Sequence, residues 1–140
     1  MTRVCRIELK SSEAILVVVE NLTGISELVI TEPKKLKIDD EDSSEVKCFL
    51  DAFVEFIRDN KIDMIVLKKR TKKGKMAGGS VSFKLEDVIQ LNCIADTVFV
   101  SGQEIVTAHK KEQFEIPASL NKYQETAFMA ACLYIRKNIT

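Results

Sequence analysis

The strand-like patterns before residue 31 follow one another without an intervening helix, and those after it are separated by helical patterns. That order constrains the fold more tightly than any single motif. Val4 to Leu9 alternates, with Cys5, Ile7 and Leu9 on one face and Arg6 and Glu8 on the other. Ala14 to Val19 is an unbroken apolar run, the pattern of a strand buried on both faces. Asn21-Leu-Thr-Gly24 supplies turn chemistry, and Leu28-Val29-Ile30 reads as a third strand. Short connections predict an antiparallel meander, which Pro33 closes.

Asp39 to Asp42 then precede a helix whose Val46, Phe49, Leu50, Phe53, Phe56 and Ile57 share one face. Asp42 with Glu45 makes a start resembling a capping box, and the acidic cluster suits the positive end of the helix dipole. Met64 to Leu67 is a fourth strand. A basic loop leads from it to a helix carrying Val81, Leu85, Val88 and Ile89, and Thr97 to Val100 is a fifth strand. A short helix is expected over residues 101–111, and a last one from about Asn121 to Lys137. On that helix Ala127, Ala130, Ala131 and Tyr134 form a small-residue face suited to close approach to a sheet. Right-handed crossovers would place the last two strands parallel to the first, with the fourth beside it. The expectation is an α/β fold with a mixed five-stranded sheet: a three-strand antiparallel meander, two parallel strands, and helices on both faces.

A length of 140 residues suits one domain spanning 1–140 and is long enough to bury a full core. Lys plus Arg and Asp plus Glu each total 21, so no whole-domain basic field marks a nucleic-acid binder, and attraction must come from local patches. Cys5, Cys48, Cys93 and Cys132 form no Cys-x-x-Cys pair, which fits reduced core thiols better than disulfides or zinc. Charges interrupt the N-terminal segment where a signal's apolar region would lie. The apolar runs fall short of the roughly 20 residues needed to cross a bilayer, so a cytoplasmic protein with no membrane partner is expected.

Several segments resemble the Holliday-junction resolvase branch of the ribonuclease H-like superfamily. Val4-Cys-Arg-Ile-Glu8-Leu-Lys resembles the family's first strand, with Glu8 in the place of a catalytic carboxylate. Met64-Ile-Val-Leu-Lys-Lys-Arg70 resembles the fourth strand, Ala77 to Leu85 the loop and helix after it, and Ser101 to His109 the short helix after the fifth strand. Tyr123-Gln-Glu125-Thr-Ala-Phe-Met-Ala-Ala131 resembles the final helix, which brings the last acids. The resemblance implies divalent-metal phosphodiester chemistry, which needs several carboxylates to hold paired cations. Here Lys68 stands where a second carboxylate is expected, and Lys122 stands one turn before Glu125. Glu8 and Glu125 remain as the candidate ligands of Mg²⁺ or Mn²⁺, with Lys68 as an electrophile near the phosphate.

Glu8 has a structural alternative, an ion pair with Arg6 or Lys68, since a carboxylate in a covered strand needs a partner or a metal. Glu125 can equally be a solvated helix residue. The run from Lys68 holds Lys69, Arg70, Lys72, Lys73 and Lys75, and Gly78-Gly79-Ser80 opens a helix whose free N–H groups suit a phosphate. A solvated loop is its plain alternative. His109, the only histidine, has no nucleophile elbow to accompany it. Three hypotheses follow: an atypical Mg²⁺- or Mn²⁺-dependent nuclease acting on structured DNA or RNA, an inactive relative that binds nucleic acid or a protein through the basic loop, and a homodimeric interaction module.

Overall fold

The computed structural model describes residues 2–10, 12–22, 25–38, 43–68, 80–92, 94–100 and 117–138. Strands β1 (Thr2–Lys10) and β2 (Glu13–Leu22) form a long antiparallel hairpin in which Arg6 lies opposite Val17 and Glu8 opposite Ile15. β3 (Ile25–Val29) pairs with the outer edge of β2, completing the meander. After α1 (Ser43–Asp59), β5 (Met64–Lys68) joins the inner edge of β1 in parallel, from Val4 beside Met64 to Ile7 beside Leu67. Helix α2 (Ser80–Gln90) leads to β6 (Asp96–Val100), parallel to β5, and α3 (Glu125–Asn138) closes the described fold. The path β3-β2-β1-β5-β6 is the mixed sheet that the periodicities predict.

One strand departs from the sequence expectation. Lys35–Lys37 forms β4, which pairs with the start of β2, Ala14 lying opposite Leu36. Pro33 therefore does not end the meander. It sits in a turn with a cis Glu32–Pro33 bond, beyond which the chain returns to the same edge of β2 that β3 has left. A three-residue strand with one apolar residue cannot be told from a loop by alternation, and its pairing is dictated by a distant edge.

Two apolar layers hold the sheet. On one face Cys5, Ile7, Leu16, Val18, Ile65 and Leu67 pack against α1 and α2 through Phe49, Phe53, Phe56, Ile57, Leu85 and Ile89. Phe49 and Phe53 stack with ring centroids 6.3 Å apart. The other face joins Val4, Val17, Val19 and Val66 to α3 through Ala127, Phe128, Ala131, Cys132 and Ile135. Ala127 and Ala131 are fully buried, as their spacing predicts for a helix lying close to a sheet. Cys5 and Cys132 are core thiols, but Cys48 is exposed, because it lies beside the apolar stripe of α1 rather than on it.

Candidate nucleic-acid site at the carboxyl end of the parallel strands

Side chains alternate across a strand. Since Val4 faces α3, so do Arg6 and Glu8. Val66 places Lys68 on the same face of β5, and the parallel register, carried one step past Ile7–Leu67, sets Lys68 beside Glu8. Lys68 is exposed, Glu8 half-buried and Arg6 only 3% exposed.

Helix α3 brings Glu125 to this end of the sheet. At one end of the helix the Tyr134 hydroxyl donates to Met64 Sδ at 2.9 Å, level with Val4. At the other, Gln124 Nε2 donates to the Leu16 carbonyl at 3.3 Å, and Leu16 pairs with Ile7. A rise of about 1.5 Å per helical residue covers roughly 14 Å from Glu125 to Tyr134. A rise of about 3.3 Å per strand residue covers roughly 13 Å from Val4 to Glu8. The helix therefore runs antiparallel to β1, and its start, just before Glu125, is seated over β2 and β4, where Gln124 reaches Leu16 and Lys35 Nζ lies 4.6 Å from the Tyr123 ring. Glu125 is half-buried and Lys122 is exposed.

Gln124 seats that helix. It is buried, and its Oε1 accepts from the Asn121 backbone N–H at 3.2 Å and from Asn121 Nδ2 at 3.1 Å. Leu16 also donates its own N–H to the Lys34 carbonyl at 2.9 Å. Its carbonyl thus faces the interval between β3 and β4, where Gln124 supplies a donor. Sequence periodicity had no signal for this residue beyond its place at the start of a helix.

The electrostatics of Arg6 are unusual. Its Nε and Nη1 are buried and have no hydrogen-bond partner among the described residues, and the same holds for Glu8 Oε2. Burial pulls the Arg6 guanidinium below the ordinary arginine value, while the Glu8 carboxylate partly restores it. The two charges sense one another, yet among the described residues Glu8 makes no salt bridge with Arg6 or Lys68. The ion pair expected as the structural alternative is not formed.

These residues do not fit a paired-cation centre. Glu8 Oε2 is an orphaned acceptor, which suits a cation, but a buried guanidinium with two orphaned donors lies within its field. Among the described residues no group of three or more His, Cys, Asp or Glu side chains converges. Lys69, Arg70, Lys72, Lys73, Lys75, Gly78 and Gly79 lie outside the described residues, as do His109, Cys93 and the helix expected over 101–111. Ser80 is the first residue of α2. No described helix is long and apolar enough to cross a membrane.

Comparison with known proteins bears on the fold. The chain is similar to RuvC of Thermus thermophilus in complex with a Holliday junction substrate, at TM-score 0.70 and 12% identity, over 99% of this chain and 97% of that one. A second Thermus thermophilus RuvC structure gives TM-score 0.71 at 10% identity, over 97% of this chain and 96% of that one. The fowlpox virus resolvase in complex with Holliday junction DNA gives 0.61 at 10% identity, over 99% and 100%. No curated protein matches in sequence. These likenesses establish a ribonuclease H-like fold, with its mixed sheet and flanking helices, of the kind seen in junction resolvases. Residues 2–134 match the family described as protein of unknown function (DUF3010), and the chain belongs to that family.

Proposed function

We propose that this domain binds the sugar–phosphate backbone of structured DNA or RNA at the carboxyl ends of β1 and β5. The observation that carries the reading is that Lys68 ends β5 on the sheet face that also holds Glu8 and, deeper in the strand, the buried Arg6. Open α/β sheets bind ligands outside the carboxyl ends of their strands. Lys69, Arg70, Lys72, Lys73 and Lys75 continue from Lys68, so the local charge is basic although the chain is neutral overall. Gly78, Gly79 and Ser80 would add backbone donors at the start of α2. The RuvC and fowlpox resolvase structures that share this fold hold a Holliday junction, which makes a four-way junction the first ligand to try.

Fluorescence anisotropy with a labelled junction, a duplex and a single strand tests this. Binding should favour the junction and weaken steeply with salt, because each phosphate contact releases counterion. Reversing Lys69, Lys72 and Lys75 to Glu should flatten that salt dependence. Affinity that is absent, or indifferent to salt and to these charges, would remove the reading.

One observation favours a second reading. The orphaned Glu8 Oε2 is the kind of acceptor a cation satisfies. A weak phosphodiesterase would use it with Glu125 to hold a single Mg²⁺ or Mn²⁺, Lys68 facing the phosphate. That reading requires cation-dependent cleavage of the junction that disappears in Glu8→Gln; full cleavage by that variant would dismiss it.

A further inference from the structure

A covered central strand ordinarily carries apolar residues on both faces. β1 instead carries Arg6, whose neighbours on the same face are Val4, Val17 and Val66. A guanidinium holds five donors in a rigid fork and stays charged in nearly any surroundings. Burying it with Nε and Nη1 unpaired is costly, and a chain of this composition could supply a valine at no cost. The position two residues on is Glu8, whose inward oxygen is likewise buried without a donor, while the residue as a whole remains half-exposed. Arg6 is the more deeply buried of the two, and the Glu8 carboxylate partly restores the charge that burial disfavours on its guanidinium.

A divalent cation at Glu8 would add two positive charges beside a buried guanidinium that cannot leave. Lys68, in register with Glu8, raises the potential further from the solvent side. We propose that Arg6 is a built-in cation in the position where a metal ion would neutralise Glu8, so that this end of the sheet receives an anionic phosphodiester oxygen without a divalent cation. The proposal rests on the nucleic-acid reading for its ligand, but not for its claim about metal. Glu8 partly offsets the fixed charge electrostatically, and the surplus from Arg6 and Lys68 is available to the phosphate. Arg6 is thus a positioning and electrostatic residue; it is too deeply buried for the Nε and Nη1 atoms to touch a backbone directly.

Calorimetric titration of Mn²⁺ into four proteins tests the metal claim: wild type, Arg6→Met, Arg6→Lys, and Arg6→Met with Glu8→Gln. Methionine keeps much of the apolar stem, and thermal melting confirms that each variant is folded. Wild type and Arg6→Lys should bind Mn²⁺ negligibly. Arg6→Met should gain at least about tenfold in affinity, the scale expected for removing one fixed charge from beside a divalent ion. The double variant should lose the gain. Equal Mn²⁺ binding by wild type and Arg6→Met, or none by either, would overturn the proposal, as would a gain that survives Glu8→Gln. In a parallel arm, junction binding by wild type should be unchanged by a chelator and should weaken in Arg6→Met. Loss of wild-type junction binding under chelation would overturn the cation-independent part. If wild type binds no junction under any condition, the nucleic-acid reading fails while the titration still decides the role of Arg6.

Discussion

Arg3 and Arg6 stand three residues apart on β1, and their surroundings are opposite. At the amino end, Arg3 Nε meets Glu20 Oε1 at 3.0 Å, and its Nη1 donates to the Asn60 carbonyl at 2.7 Å. Its backbone N–H donates to Asp63 Oδ2 at 2.9 Å, and its carbonyl accepts from the Asp63 N–H at 2.9 Å. Arg3 ties β1 to β2 and to the turn that follows α1. At the middle of the strand, Arg6 is more deeply buried and two of its three nitrogens have no partner among the described residues. A cation that exists to hold a fold together resembles the first. The second carries buried donors without partners among the described residues, a desolvation cost that a purely structural cation avoids.

The widest separation between the two arginines should come from removing the unpaired charges. Replacing Arg6 with Met and Glu8 with Gln together should raise the unfolding free energy by about 1–4 kcal/mol, the range for exchanging buried ions for neutral side chains of similar volume. Urea denaturation measures it, and a loss of stability in the double variant would make the two arginines alike. Arg3→Met should act in the other direction, costing roughly 1–2 kcal/mol as its hydrogen bonds are lost. An unchanged midpoint would show that the amino-end network is ornamental.

The smallest effect should belong to Cys5, which lies between the two arginines in the strand. Burial pushes its thiol from 9.0 up to about 12, against a smaller lowering from the Val17 backbone. Folded Cys5 stays neutral while the unfolded thiol ionises, so its contribution is intact below about 9 and is lost as pH climbs towards about 12. Denaturation midpoints across that window should fall more gently in Cys5→Ala than in wild type, with no difference in slope near neutrality. Parallel slopes throughout would mean that the thiol is more accessible than its burial implies.

Much of this was legible in the chain. The strand and helix order, the buried alanines of α3 and the anomaly of two charges in a covered strand all follow from periodicity, which is a local property. The first and fourth strands could be placed side by side because right-handed crossovers fix direction and adjacency, while the register that brings Lys68 near Glu8 comes from the structure. What sequence could not supply was non-local. β4 depends on an edge that β3 vacates. Arg6 was legible as a partner for Glu8, but only the fold reveals that Arg6 Nε and Nη1 and Glu8 Oε2 have no partner among the described residues. Gln124 reads as an ordinary polar residue until Leu16 is seen beneath it.

That last contact links residues 108 positions apart. On the ribosome, the first hairpin emerges long before Gln124 does. By then β3 and β4 already pair with that edge of β2, on either side of Leu16. The turn that carries Gln124 therefore closes a gap left by two outer strands, and the last described helix can seat only on a meander that has already formed.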